Sequence, residues 1–184
     1  MADHLSVAEL EELTDVVRAS PSDEGTLELI VARPADNERQ VLIEGELDLD
    51  VGLVGDNWGQ RPSSRTDDGS AHPDMQLNII NSRFSDGISR GDQDQRIMAG
   101  DQLHVDLDLS EANVPPWTKL QIGDAIIEIT DQPHTGCQKF VQRFGLEAQR
   151  WTRTDAGSEL HLRGVNARVH TPGTIRHGDV IRKL

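Results

Sequence analysis

The chain has 184 residues, and its 32 acidic against 18 basic side chains give a formal net charge of −14. That balance argues against a general nucleic-acid or anionic-membrane partner, because both reward a basic surface. Three Phe, three Trp and no Tyr leave little from which to build a stacking platform. The length suits one domain with a real core.

Leu5, Ser6, Glu9 and Leu10 open the chain with a capping box and a hydrophobic staple. Val7, Leu10, Leu13 and Val17 follow at near-helical spacing, and Ser20-Pro21 ends the element. From there the pattern predicts strands: Thr26 to Ala32, Gln40 to Ile43, and an alternating run through Leu47, Leu49 and Val51. Residues 55–74, rich in Gly, Pro, Ser and Asp, read as the longest loop. Met75 to Ile80 predicts a short strand, 85–99 at most a weak helix, and Leu103 through Leu109 an alternating strand. Ala125 to Thr130, Leu160 to Leu162, Ala167 to His170 and Val180-Ile181 complete the strand signals. Gly-Asp recurs at 55, 91, 100, 123 and 178, three times directly before a strand-like run. Turns that repeatedly feed short strands point to a barrel or sandwich. We expect a helical appendage at 1–25 and one domain over 26–184.

Residues 1–131 hold 28 acidic and 9 basic side chains, whereas 132–184 hold 4 and 9, a local balance of +5. The only cysteine, Cys137, lies in that basic segment, where an anionic ligand would be held most readily. A single cysteine allows no internal disulfide, and the N-terminus has neither a basic nor an apolar signal region. No apolar run approaches the ~20 residues needed to span a bilayer. A soluble cytoplasmic protein is expected.

The densest chemistry is Thr130 to Phe140. A strand runs into Pro133, then Thr135-Gly136, then Cys137, after which Phe140, Val141 and Phe144 fall at helical spacing and Gly145 suits a C-terminal cap. A cysteine opening a helix beside Lys139 and His134 is biased toward thiolate. Such a thiolate can be a nucleophile, a sulfur carrier or a soft metal ligand. The plainer reading is a small buried thiol in a generic binding barrel. A zinc site lacks further ligands, Asp106 and Asp108 read as a solvated strand face, and Gly52 to Asp56 lacks both the Gly-Lys-Ser/Thr of a phosphate loop and the third glycine of a dinucleotide loop.

His134-Thr135-Gly136-Cys137-Gln138-Lys139-Phe140 resembles the cysteine motif of MOSC-domain proteins, named for the C-terminal part of molybdenum cofactor sulfurase. Gly52 to Trp58 looks like the family's early Gly-Leu-x-Gly-Asp motif. Leu162 to Val169, followed by Pro172 to Asp179, looks like its C-terminal signature. The resemblance runs from about Thr26 to the C-terminus. It implies a mainly β, MOSC-type barrel with a few short helices, and a cysteine that binds the molybdenum cofactor (molybdopterin) or carries its sulfur. Some relatives use the cysteine as molybdenum ligand and reduce N-hydroxylated bases; many have an Arg-x-Pro type of lead-in where this chain has His134-Thr135-Gly136. Cys137 carries over as catalytic residue and molybdenum ligand. Asn57, His134, Thr135, Gly136, Lys139, Arg163 and Asn166 are the expected cofactor-binding residues, Arg163 supplying the guanidinium, while Arg143 and Arg168 read as surface charges. The implied partner is a desulfurase or an electron donor. The pyridoxal-phosphate desulfurase domain of full-length cofactor sulfurases is not expected here, so a non-catalytic sulfur carrier served by a partner desulfurase is the other reading.

Overall fold

The computed structural model describes residues 4–136 and 138–184. Cys137, expected at a helix start, lies outside the described residues.

Helix α1 (Val7–Arg18) forms where the capping box puts it: the Ser6 backbone N–H donates to Glu9 Oε2 at 2.7 Å, and the Glu9 N–H to Ser6 Oγ at 3.4 Å. Strands β1 (Glu24–Ala32), β2 (Gln40–Leu42), β3 (Glu44–Asp48) and β4 (Gly52–Leu53) follow. The long loop contains two short 3-10 turns, Trp58–Gln60 and Pro73–Met75. Then come β5 (Leu77–Asn81), α2 (Ser82–Ile88), α3 (Gln93–Arg96), a 3-10 turn at Ile97–Ala99, β6 (Leu103–Asp106), β7 (Lys119–Ile122) and β8 (Ala125–Ile129). The last third holds α4 (Gln138–Phe144), α5 (Leu146–Trp151), α6 (Asp155–Glu159), β9 (Val165–Thr171), β10 (Gly173–Arg176) and β11 (Val180–Lys183).

Seven strands close on themselves in the order β11-β7-β8-β9-β5-β6-β1, with β1 pairing back onto β11. Closure leaves no free edge within the ring. Every pair in the ring is antiparallel except β5–β6, whose crossover runs through α2 and α3. β2 extends the sheet beside β1, and β10, β3 and β4 form a separate three-stranded sheet. The fold is therefore mainly β, a closed seven-strand barrel with short helices, as the family resemblance implies and as one of the two architectures the strand pattern allows.

Alternation sorts the side chains into two cores. Leu77 and Ile79 join Leu27, Leu103, Ile127 and Ile181 in the barrel cluster, while Ile80 faces the other way. Ile80 joins Leu10, Phe84, Phe140, Phe144 and Leu162 in a second cluster between the barrel wall and the helices. The N-terminal helix contributes Leu5, Leu10 and Val17 to this outer core. The Phe140 and Phe144 rings meet at 5.0 Å between centroids and anchor α4, the helix that follows the cysteine.

Three local expectations are corrected. The alternation through Leu49 and Val51 is not strand: Asp48 Oδ1 accepts from the backbone of Asp50 at 2.8 Å and of Val51 at 3.2 Å, turning the chain and leaving both apolar side chains exposed. Leu160 to Leu162 is not strand either. His161 adopts a left-handed backbone (φ 47), which sends both flanking leucines into the helical core. The ladder of β6 ends at Asp106, although Leu107 and Leu109 still bury in the barrel.

Candidate functional site

The loop between β8 and α4 is held from behind by a line of polar side chains. Arg33 is fully buried; its Nε and Nη2 donate to the two oxygens of Asp56 at 2.8 and 2.9 Å, and its Nη1 to Asn78 Oδ1 at 2.7 Å. Asn78 Nδ2 donates to Asn166 Oδ1 at 2.6 Å, and Asn166 Nδ2 to the Gln132 carbonyl at 3.0 Å. The Thr130 N–H adds a bond to the Asn166 carbonyl at 2.9 Å. Asp56, Asn166 and the cysteine loop, from three separate sequence motifs, are thus joined in one buried network.

A second clamp lies beside it. Arg163 Nη1 lies 3.0 and 2.8 Å from the two oxygens of Asp101, and its Nη2 donates to the Ala99 carbonyl at 3.2 Å. Its guanidinium sits over the Phe140 ring, 4.9 Å from the centroid. Burial pushes the Asp101 carboxyl up, and the Arg163 charge pulls against it. His134 Nδ1 approaches Asp101 at 3.4 Å without making a hydrogen bond. Burial, then the nearby Arg163 and Arg33 charges, push this imidazole well below its ordinary pKa. His134 is therefore neutral at pH 7, and its contact with Asp101 is polar rather than ionic. A hydrogen on Nδ1 suits that carboxylate, which leaves Nε2 as the bare nitrogen.

Two glycines are dictated by close approach. A Cβ at Gly136 would lie 2.0 Å from Gln149 Oε1 of α5, whose Nε2 donates to the Gly136 carbonyl at 3.2 Å. A Cβ at Gly164 (φ 101) would lie 2.2 Å from the Ile79 carbonyl and 3.1 Å from His134 Nδ1. In front of these residues opens a cleft of about 410 Å³. His134, Thr135, Gly136 and Arg163 line it, four of the seven described residues expected from sequence. Asn166 stands behind the loop. Asn57 Oδ1 accepts from Arg61 Nε at 2.7 Å, and Lys139 pairs with Asp36 at the exposed surface; neither is in the described lining.

The model of the MOSC domain family matches residues 90–182, just over half of the chain. The chain belongs to the MOSC domain family. The chain is also similar in fold to solved structures of low identity. The YUAD protein from Bacillus subtilis aligns with a TM-score of 0.63 at 12% identity, covering 86% of this chain and 94% of that one. A hypothetical protein aligns at 0.58 and 21%, covering 91% and 70%. YiiM from Escherichia coli aligns at 0.56 and 18%, covering 86% and 69%. No curated protein matches. Among the described residues no helix is long and apolar enough to cross a membrane.

In this MOSC domain the sequence reading missed several residues that build the site. Asp101 belongs to the Gly100-Asp101 turn signal, which in sequence marks only the start of a strand. Arg33, Gln149, Arg153 and His161 carry no local pattern that separates them from surface polar residues. The basic local balance also reads differently in space. Of the nine cations in 132–184, seven pair with carboxylates, six of those with acids from the first 131 residues. Among the described residues, Arg153 has no recorded partner, and it lines the cleft.

Proposed function

We propose that this MOSC domain binds the molybdenum cofactor in the cleft, with Cys137 as the metal's protein ligand. The observation that carries the reading is the cleft's lining: the three residues immediately before Cys137 share it with Arg163, Gly164 and Val165 of the C-terminal signature. Its volume lies in the range of small-molecule and cofactor sites, about 300–1,000 Å³. The surroundings fit such a ligand. His134 Nδ1, Arg163 Nε and Gln149 Oε1 are buried without a hydrogen-bond partner among the described residues, and buried polar atoms in that state call for an explanation. Gly136 keeps the backbone open where a Cβ would be blocked.

His134, Thr135 and Gly136 would hold the cofactor from the cysteine loop, and Arg163 would orient it from the turn before β9. Asn166 would act through the Gln132 carbonyl, shaping the loop. Asn57 and Lys139, outside the described lining, would act only from a distance. Arg153 is the cation left to meet a phosphate. When bound, molybdenum supplies two-electron oxygen-atom chemistry, with reducing equivalents from a partner protein. Removal of a hydroxyl oxygen from an N-hydroxylated substrate is the reaction class we favour. His134, neutral at pH 7, can accept a hydrogen bond at Nε2 but does not add positive charge.

The test is expression in a cofactor-competent host, with molybdenum and pterin quantified for the parent and Cys137→Ser. Retention of molybdenum in the parent and its loss in the variant is expected; equal retention in both overturns the reading. A persulfide on Cys137 after incubation with a desulfurase and cysteine, in protein that holds no molybdenum, would favour the sulfur carrier instead.

A further inference from the structure

His161 stands on the same cleft as Thr135 and Gly136. Its backbone is left-handed, φ 47, in a turn closed by His161 N–H to the Ser158 carbonyl at 3.1 Å and Gly164 N–H to the His161 carbonyl at 2.6 Å. Histidine, with asparagine and aspartate, is among the side chains enriched at such a position, so the turn holds the imidazole without strain. Its ring is fixed by Nδ1, 2.7 Å from the Leu109 carbonyl. A carbonyl oxygen only accepts, so Nδ1 carries the hydrogen, and in the neutral ring Nε2 is then a bare acceptor. Nε2 has no partner among the described residues.

The rest of the lining has the same character. His134 is nine-tenths buried and neutral, with its own Nε2 unpartnered. Glu111 and Asp131 line the cleft with no recorded ion pair, and the Thr135 hydroxyl adds an acceptor. Against these stand the guanidinium of Arg153 and the unpartnered Nε of Arg163, whose Nη1 is committed to Asp101. A ligand edge that meets the acceptors carries N–H groups.

We propose that His161 is the recognition residue of the cleft, its fixed Nε2 accepting a hydrogen bond from an N–H donor on a planar ligand. The assignment rests on the cleft being the ligand site, as argued above. An N–H edge could belong to the cofactor's pterin or to a separate substrate, and the experiment separates the two.

The test uses benzamidine as a planar N–H donor and benzoate as an acceptor-only control, with binding measured by calorimetry on the full chain. His161→Asn is the informative variant. Asparagine tolerates the left-handed backbone, and its Nδ2 can still donate to the Leu109 carbonyl, so only Nε2 is removed. We expect an unchanged melting temperature, benzamidine binding weakened about five- to tenfold, the loss of one hydrogen bond, and benzoate weak and unaffected. Equal benzamidine affinity in parent and variant overturns the proposal. Should the variant fold poorly, carbethoxylation of His161 in the parent decides: protection by benzamidine supports the assignment, and an unprotected His161 refutes it.

The two sources are told apart with cofactor-loaded protein. If the donor edge is the cofactor's, His161→Asn lowers molybdenum content and loaded protein no longer binds benzamidine. If it is a substrate's, molybdenum content is unchanged and loaded protein binds benzamidine through His161. A parent that holds no molybdenum yet binds benzamidine through His161 refutes the cofactor reading and leaves this assignment standing.

Discussion

Two buried arginine–aspartate pairs sit side by side under the cysteine loop, and they are finished differently. Arg33 spends every guanidinium nitrogen: Nε and Nη2 on Asp56, Nη1 on Asn78 and the Gly100 carbonyl. Asp56 also accepts the Arg33 and Trp58 backbone N–H groups, both at 2.9 Å. Arg163 meets Asp101 through Nη1 alone, leaves Nε unpartnered, and has a neutral imidazole 3.4 Å from the same carboxylate. A complete network fixes one structure, whereas an incomplete one costs stability unless a ligand completes it. The first pair lies behind the loop, and Arg163 of the second lines the cleft, so the unfinished network is where a ligand would act.

The largest effect should come from breaking the finished pair. Arg33→Met leaves the Asp56 charge buried with no counter-charge, a change that costs about 3–5 kcal/mol. Urea unfolding of cofactor-free protein measures it, and the midpoint should fall far more than for Arg163→Met. Arg163→Met should instead be felt most in molybdenum retention. If the two variants lose stability equally, the contrast between the pairs fails.

Acid should come next, and it tests two histidines. Burial, followed by the Arg96 charge, pushes His104 down to about 3, and His134 is also pushed well below its ordinary value. Both rings take up protons near pH 6.5 when unfolded but refuse them when folded, so the unfolded state binds more protons and stability rises with pH. The contribution is fully present above about pH 6.5 and is lost as pH falls below it. Well below pH 6.5 a ring that refuses its proton costs about 1.4 kcal/mol per pH unit, so His104 alone should remove about 2 kcal/mol between pH 7 and 5, and His134 should add to the loss. Unfolding curves at pH 7 and 5 check this. His104→Asn and His134→Gln should each flatten the dependence, and an unchanged slope would mean the rings are not buried neutral.

Much of the fold was legible because its signals are local. Ser6 and Glu9 cap α1 through contacts three residues apart, and the Gly-Asp turns at 100, 123 and 178 lead into β6, β8 and β11. What failed was set by distant packing. Leu160-His161-Leu162 alternates like a strand, yet the outer core takes both leucines and only the left-handed His161 makes that possible. Ser82–Ile88 is too polar to announce a helix, but Phe84 and Ile88 are claimed by that same core, and Asn81 Oδ1 accepts from the Phe84 N–H at 3.1 Å. The cysteine loop and Arg163 were readable from the family motifs. Arg33, Asp101, Gln149 and His161 were not, because each acquires meaning from a partner thirteen or more residues away or from the turn it occupies.

Two glycines give a smaller effect that still separates scaffold from cleft. At Gly164 an added Cβ meets the Ile79 backbone carbonyl at 2.2 Å with φ 101, and neither can yield cheaply. Gly164→Ala should cost more than about 2 kcal/mol, as strained substitutions at such positions do. At Gly136 the obstacle is the end of the Gln149 side chain at 2.0 Å, which can move. Gly136→Ala should therefore cost about 1 kcal/mol, a lost hydrogen bond, while reducing molybdenum retention. Adding Gln149→Ala removes the obstacle but also the hydrogen bond, so neither stability nor retention should recover. Recovery of retention would make Gly136 a packing residue only.

The smallest effect expected is at Lys139, and its smallness matters. The sequence places this lysine two residues after the cysteine in a segment with a local balance of +5, which makes it an obvious holder of an anionic cofactor. In the fold its ammonium is exposed and paired with Asp36, and it is absent from the described lining of the cleft. Exposed pairs of this kind contribute little to stability. Lys139→Met should therefore leave both the unfolding midpoint and the molybdenum content unchanged, whereas Arg153→Met, at the cleft itself, should lower the content. If Lys139→Met lowers it as much, the summed charge of the segment governs retention rather than the cleft, and the comparison between paired and unpaired cations loses its force.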